Sequence, residues 1–219
     1  MMRTPCQPGL PEREQHRGGR LELLTTTFDT FERNVRDQLA RMLGAGGFDA
    51  ARDIARAEKE TGALMDSIDA NLRPFFYRHG KLLLYHGWAD HSITPLRTVQ
   101  YYEDVRKVHG AGTADFARLF MVPGMHHCSK GPGPNSFGGS GQGFSPRYEP
   151  EFDVVMALDR WVEQGIAPQQ IVATKYVNDD SKQGVARTRP LCLYPQVARY
   201  KGTGSIDDAA NFACATSAK

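Results

Sequence analysis

The 219-residue sequence has no apolar run approaching the roughly 18 residues that a membrane helix needs, so no membrane-spanning segment is expected. It also lacks a dominant charge. Its 27 Lys and Arg against 25 Asp and Glu leave +2, too little field to gather nucleic acid or an anionic membrane, and neither is an expected partner. Cysteine is scarce: Cys6, Cys128, Cys192 and Cys214 are too few for a disulfide-framed mini-protein, although they allow three complete pairings. Neither Cys-x-x-Cys nor His-Glu-x-x-His spacing is present. The first ten residues have no apolar stretch after Arg3, so no signal peptide is read in this chain. What is there fits a folded domain: 40% hydrophobic residues can bury a core, and the length suits one domain with an appendage. A soluble globular hydrolase, transferase or binding domain is the expectation.

The chain changes texture along its length. Residues 1–20 are polar and interrupted by Pro5, Pro8, Pro11, Gly18 and Gly19. Apolar positions at three- and four-residue steps predict an amphipathic helix over 28–43, stopped by Gly44 to Gly47. A second helical pattern covers 50–65 and is expected to break at Gly62. Both read as peripheral, lid-like helices. After Pro74 short apolar runs begin. Strands are expected at 81–85, 116–122 and 171–177, with helices from Pro95 to Gly110 and over 152–165, the latter amphipathic with Val155, Leu158 and Val162 in register and Trp161 beside them. A Gly- and Pro-rich loop covers 131–150. Strand and helix alternate, which predicts an α/β fold with parallel strands.

Ligands in open α/β sheets sit beyond the carboxyl ends of the strands. Two such ends carry reactive side chains: His86-Gly87-Trp88-Ala89-Asp90-His91 and Pro123-Gly124-Met125-His126-His127-Cys128. An Asp on one loop and a His on the next form the pair that acyl transfer needs, because the carboxylate fixes the imidazole tautomer and stabilises the imidazolium. Asp90 before His127, with a helix between, fits the α/β-hydrolase order Ser…Asp…His. Plainer readings stay open: Asp90 as a helix cap, His127 as a structural histidine, and His86 and His91 as supporting or exposed residues. His126 is ambiguous. A zinc site built from these four histidines and Cys128 is a further alternative.

The segments Gly80 to Asp90, Pro123 to Cys128 and Gly131-Pro132-Gly133 resemble the C-terminal part of the tannase and feruloyl esterase family. So do Arg189 to Pro195, Tyr200 to Gly204 and Asn211 to Cys214. The resemblance implies the C-terminal part of an α/β-hydrolase fold, with few parallel strands and flanking helices, preceded by a helical lid-like segment. It divides the chain into a poorly matching segment 1–47, the end of a helical lid at 48–79, and the hydrolase portion at 80–219. It implies a serine carboxylic ester hydrolase acting on small aromatic esters (gallates or hydroxycinnamates), secreted or periplasmic, with Asp90 as the triad acid and His127 as the general base. Cys128 would tie the histidine loop to the nucleophile loop, and Cys192 would pair with Cys214. The resemblance leaves the oligomeric state unknown.

Two family features are missing from this sequence. The nucleophile motif Gly-Cys-Ser-x-Gly-Gly is absent, and Ser67, which precedes Asp90, has no flanking glycine to make a sharp strand-to-helix turn. Ser140 follows both partners and no strand. The chain is therefore expected to be a fragment lacking the serine, with a non-catalytic remnant or binding module of the same fold as the alternative. The family's lid calcium loop, with aspartates alternating with glycines, is not reproduced by Asp49, Asp53, Asp66 and Asp69, so no cofactor or metal is expected. With its family partner beside the absent serine, and Cys6 in an unpatterned stretch, Cys128 is expected to be a free thiol.

Overall fold

The computed structural model describes residues 49–139 and 147–216. These fall into two units, divided between Asp69 and Ala70. The helix expected over 28–43 lies outside the described residues. In the first unit, helix α1 spans Ala50–Met65. Asp49 caps it by accepting from the Arg52 N–H at 2.7 Å, and Asp53 accepts from the Asp49 N–H at 2.8 Å. The helix continues through Gly62, against expectation. A single glycine costs about 1 kcal/mol in a helix interior, and the Gly62 carbonyl still accepts from the Asp66 N–H that ends the helix.

The second unit opens with a short helix α2 (Arg73–Phe76), then strand β1 (Leu82–Gly87), helix α3 (Pro95–His109) and strand β2 (Ala117–Val122). β1 and β2 pair in parallel, from Leu82 opposite Ala117 to Gly87 opposite Val122. All six residues of β2 are buried because both of its faces are covered. Ala117, Leu119 and Met121 pack with Tyr102 and Val105 of α3. Phe120 and Val122 point the other way, into a cluster with Val154 and Ala157 of helix α4 (Val154–Gln164). Asp153 caps α4 by accepting from the N–H groups of Val155 and Met156, and Gly165 ends it in a left-handed conformation.

α4 buries a face rotated by one residue from the expected one. Val154, Ala157 and Trp161 are inside, whereas Val155 and Val162 are 58% and 53% exposed. Trp161 decides the orientation. Its ring carries more apolar area than a valine, and it lies against Arg118 of β2 and Lys81, with the cations 5.0 and 5.4 Å from the ring.

Strand β3 (Gln170–Tyr176) pairs with β4 (Val185–Cys192) in antiparallel register rather than joining the parallel pair. A bridge between Phe120 and Leu193 then links this hairpin to β2. β5 (Gln196–Tyr200) and β6 (Phe212–Thr216) form a further antiparallel pair. A disulfide from Cys192 to Cys214 ties the end of β4 to β6, with Cα atoms 5.5 Å apart. It closes a span of 22 residues, which the chain-entropy model makes worth about 3 kcal/mol. The Cys192→Ser, Cys214→Ser double variant is expected to lose stability of that order in urea unfolding. An unchanged midpoint would show that the strand pairing alone holds this end.

Candidate active site

Two loops leave the carboxyl ends of β1 and β2 side by side. The Trp88 N–H donates to the Val122 carbonyl at 2.9 Å and the Ala89 N–H to the Met125 carbonyl at 3.1 Å, locking one loop onto the other. Gly87 makes this approach possible: a Cβ there would sit 2.2 Å from the Met125 carbonyl oxygen. The second loop folds back on itself. The Gly133 N–H donates to the Gly124 carbonyl, and the Ser129 N–H to the His127 carbonyl. Lys175 of β3 reaches over to the Gly131 carbonyl at 2.6 Å.

Asp90 lies at the junction, its side chain only 3% exposed. Its Oδ2 accepts from His127 Nδ1 at 2.9 Å and from His86 Nε2 at 3.0 Å. Its Oδ1 accepts the backbone N–H groups of Ser92 at 2.8 Å and Ile93 at 3.0 Å. Both carboxylate oxygens act only as acceptors, so the facing ring nitrogens carry the protons. In the neutral ring this leaves Nε2 as the lone-pair atom of His127, whose side chain is 41% exposed. Asp90 does not cap α3; Thr94 occupies that position without a side-chain bond.

Burial pushes the Asp90 carboxyl up, but the Ile93 N–H, the His127 ring and the Ser92 N–H together outweigh it and hold it below the ordinary aspartate value. A carboxylate with a lowered folded-state value contributes its full stability above the unfolded value, about 3.9, and loses it as pH falls through the folded value. Asp90→Asn is therefore expected to flatten the acid limb of a plot of urea midpoint against pH below about pH 4. An acid limb identical to that of the unsubstituted chain would contradict this.

His91 and His126 do not join Asp90; their rings pair edge to face, with centroids 5.4 Å apart. Ser67 lies in an irregular segment after α1, and Ser140 is outside the described residues. Cys128 is not a free thiol but disulfide-bonded. The expectation failed because a disulfide needs only two Cα atoms within about 7 Å, and that proximity leaves no periodic trace in a sequence. The zinc alternative loses Cys128 as a thiolate donor, and among the described residues no three His, Cys, Asp or Glu side chains converge as a metal site.

Beside the site, Trp88 and Pro123 of the two loops help to wall a cavity of about 300 Å³, completed by Met121, Arg189, Tyr194 and Phe212 among others. The Arg189 guanidinium stacks 3.8 Å from the Phe212 ring centroid. Sequence reasoning missed the bonds made by His86 and the close approach at Gly87. The one available signal was their position at the end of an apolar strand.

A parallel strand pair with a helix on each face, delivering a buried Asp and a His bound to it at the carboxyl ends, is an architecture of the α/β-hydrolase type. The solved structure of an esterase from Aspergillus oryzae superposes with a TM-score of 0.70 at 34% identity, over 76% of this chain and 33% of that one. The tannase and feruloyl esterase family model matches residues 30–215, and the chain belongs to that family. An uncharacterized esterase of Xanthomonas campestris pv. campestris is 42% identical over 198 residues, covering 80% of this chain and 34% of the relative. A mono(2-hydroxyethyl) terephthalate hydrolase of Piscinibacter sakaiensis is 47% identical over 146 residues, covering 66% and 21% respectively. The chain thus spans about a third or less of the length of these relatives.

Proposed function

We propose that this chain carries the acid and the base of a carboxylic ester hydrolase acting on aromatic esters, with Asp90 orienting His127. The observation that carries the reading is the 2.9 Å bond from His127 Nδ1 to the buried Asp90 carboxylate. In the reaction, His127 Nε2 takes the proton of a serine hydroxyl as its oxygen bonds to the ester carbonyl. It then passes that proton to the departing alcohol, leaving an acyl-enzyme. Water repeats the sequence and releases the acid. Asp90 holds the ring in the Nδ1–H tautomer and stabilises the imidazolium formed at each step. The serine belongs to the family motif that these 219 residues do not contain. The presence of Trp88, Tyr194 and Phe212 in the wall of the neighbouring cavity is in keeping with an aromatic acyl group. The disulfides at Cys128 and between Cys192 and Cys214 support an oxidising location, secreted or periplasmic.

The 219-residue chain by itself is expected to hydrolyse methyl gallate, methyl ferulate and mono(2-hydroxyethyl) terephthalate no faster than buffer. Turnover that vanishes on His127→Ala would reveal a nucleophile elsewhere in the chain. The positive test is a chimera in which the matched 146-residue stretch of the Piscinibacter sakaiensis hydrolase is replaced by the corresponding stretch of this chain. A stretch of that length in a chain of 219 necessarily contains Asp90 and His127. Turnover of any of the three esters supports the reading. A folded chimera that turns over none favours the non-catalytic alternative.

A further inference from the structure

Asp90 serves two imidazoles, and acid–base chemistry at His127 uses only one of them. His86, the fifth residue of β1, is 13% exposed at its side chain and follows an otherwise apolar run. A buried polar ring costs free energy unless its nitrogens are bonded, and here both are. Nε2 faces Asp90 Oδ2 at 3.0 Å and the Ile93 carbonyl at 3.2 Å, both of which only accept, so Nε2 carries the proton. Nδ1 then accepts from the Thr98 hydroxyl of α3 at 2.7 Å. The ring thereby connects β1, the Asp90 loop and the first turn of α3. The other titratable groups on these two loops are His127, on the same oxygen, the His91–His126 pair, whose rings face each other, and Lys130, whose side chain is exposed.

We propose that His86 is a positioning residue: by donating to the oxygen that receives His127 Nδ1–H, it fixes the Asp90 carboxylate and, through it, the His127 ring. The inference rests on the proposed function in giving that positioning a purpose. A carboxylate with its Oδ1 held by two backbone N–H groups can still pivot at Oδ2, and the His86 N–H, oriented by Thr98, is what stops that pivot. It also shares the negative charge that His127 would otherwise meet alone.

The test is NMR on the whole 219-residue chain, following the acid titration of the Asp90 carboxyl carbon and the low-field proton of His127 Nδ1. His86→Phe removes the donor; the Asp90 titration is expected to move up, and the His127 proton to change shift and exchange about tenfold faster. His86→Gln, whose amide can still donate, is expected to restore the Asp90 titration most of the way. A folded His86→Phe chain with both signals unmoved overturns the proposal. So does a His86→Gln chain that behaves like His86→Phe, because the effect would then belong to ring packing. If His86→Phe does not fold, Thr98→Val, which deletes only the bond to Nδ1, is expected to shift Asp90 in the same direction by less, and no shift overturns the proposal. None of these readouts depends on the chimera: an inactive chimera removes the proposed function and leaves the Asp90 result standing, whereas an active chimera with unmoved signals removes only the role of His86.

Discussion

Asp90→Asn in the chimera is expected to lower kcat about 10⁴-fold with little change in KM. The substitution keeps the size of the side chain but offers an N–H where Oδ2 now accepts. His127 Nδ1, 2.9 Å away, would answer by becoming the acceptor and shifting its proton to Nε2. A ring protonated at Nε2 cannot take a proton from the serine. His127→Ala removes the base outright and is expected to cost about 10⁶-fold in kcat. The two effects act through one unit, so the double variant should be no worse than His127→Ala alone. Multiplicative losses in single-turnover kinetics would mean that Asp90 and His127 act independently.

Gly87→Ala is expected to damage turnover as well, though less than loss of either partner of the pair, while touching no reacting group. The added Cβ would lie 2.2 Å from the Met125 carbonyl and 2.8 Å from that of His126, both backbone atoms. They belong to the loop that carries His127, and backbone cannot swing aside as a flexible side chain can. Relief requires the two loops to separate, which weakens the bond from the Ala89 N–H to Met125 and draws His127 from Asp90. A misplacement of about 1 Å at reacting groups costs on the order of 100-fold in rate. We expect at least that loss in kcat of the chimera, with about 2 kcal/mol of stability lost in the chain itself, within the range for overpacked sites. Full activity in Gly87→Ala would show that the loops are not held against each other as described.

The strands that place the site were legible because they are rich in apolar residues, β2 being buried throughout and β1 half-buried up to Gly87. β1 and β2 read as continuous apolar runs, and Pro95, Gly110 and Gly165 marked the ends of their helices. α4 shows where the pattern gives out. Val155, Leu158 and Val162 make as good a stripe as Val154, Ala157 and Trp161, and only the contact of Trp161 with Arg118 and Lys81 separates them. β5 and β6 were not legible at all. Each has five residues, mostly half-buried or exposed, and lacks the apolar density that periodicity needs. In the site, the order of Asp90 and His127 at successive strand ends was visible in the sequence. The bonds of His86 to Thr98 and Asp90 were not, since they depend on how the loop after β1 turns back. The disulfide at Cys128 was missed for a similar reason: pairing depends on proximity in space, which local pattern does not indicate.

His127, held by Asp90, is proposed as the base that activates a serine. The most direct measurement is the rate at which an active-site-directed fluorophosphonate labels the chimera, since labelling requires only the activated hydroxyl and no particular acyl group. One label per chimera is expected, appearing at least about 10³-fold more slowly in His127→Ala. Equal labelling rates in the two proteins, or a folded chimera that takes no label, would contradict it.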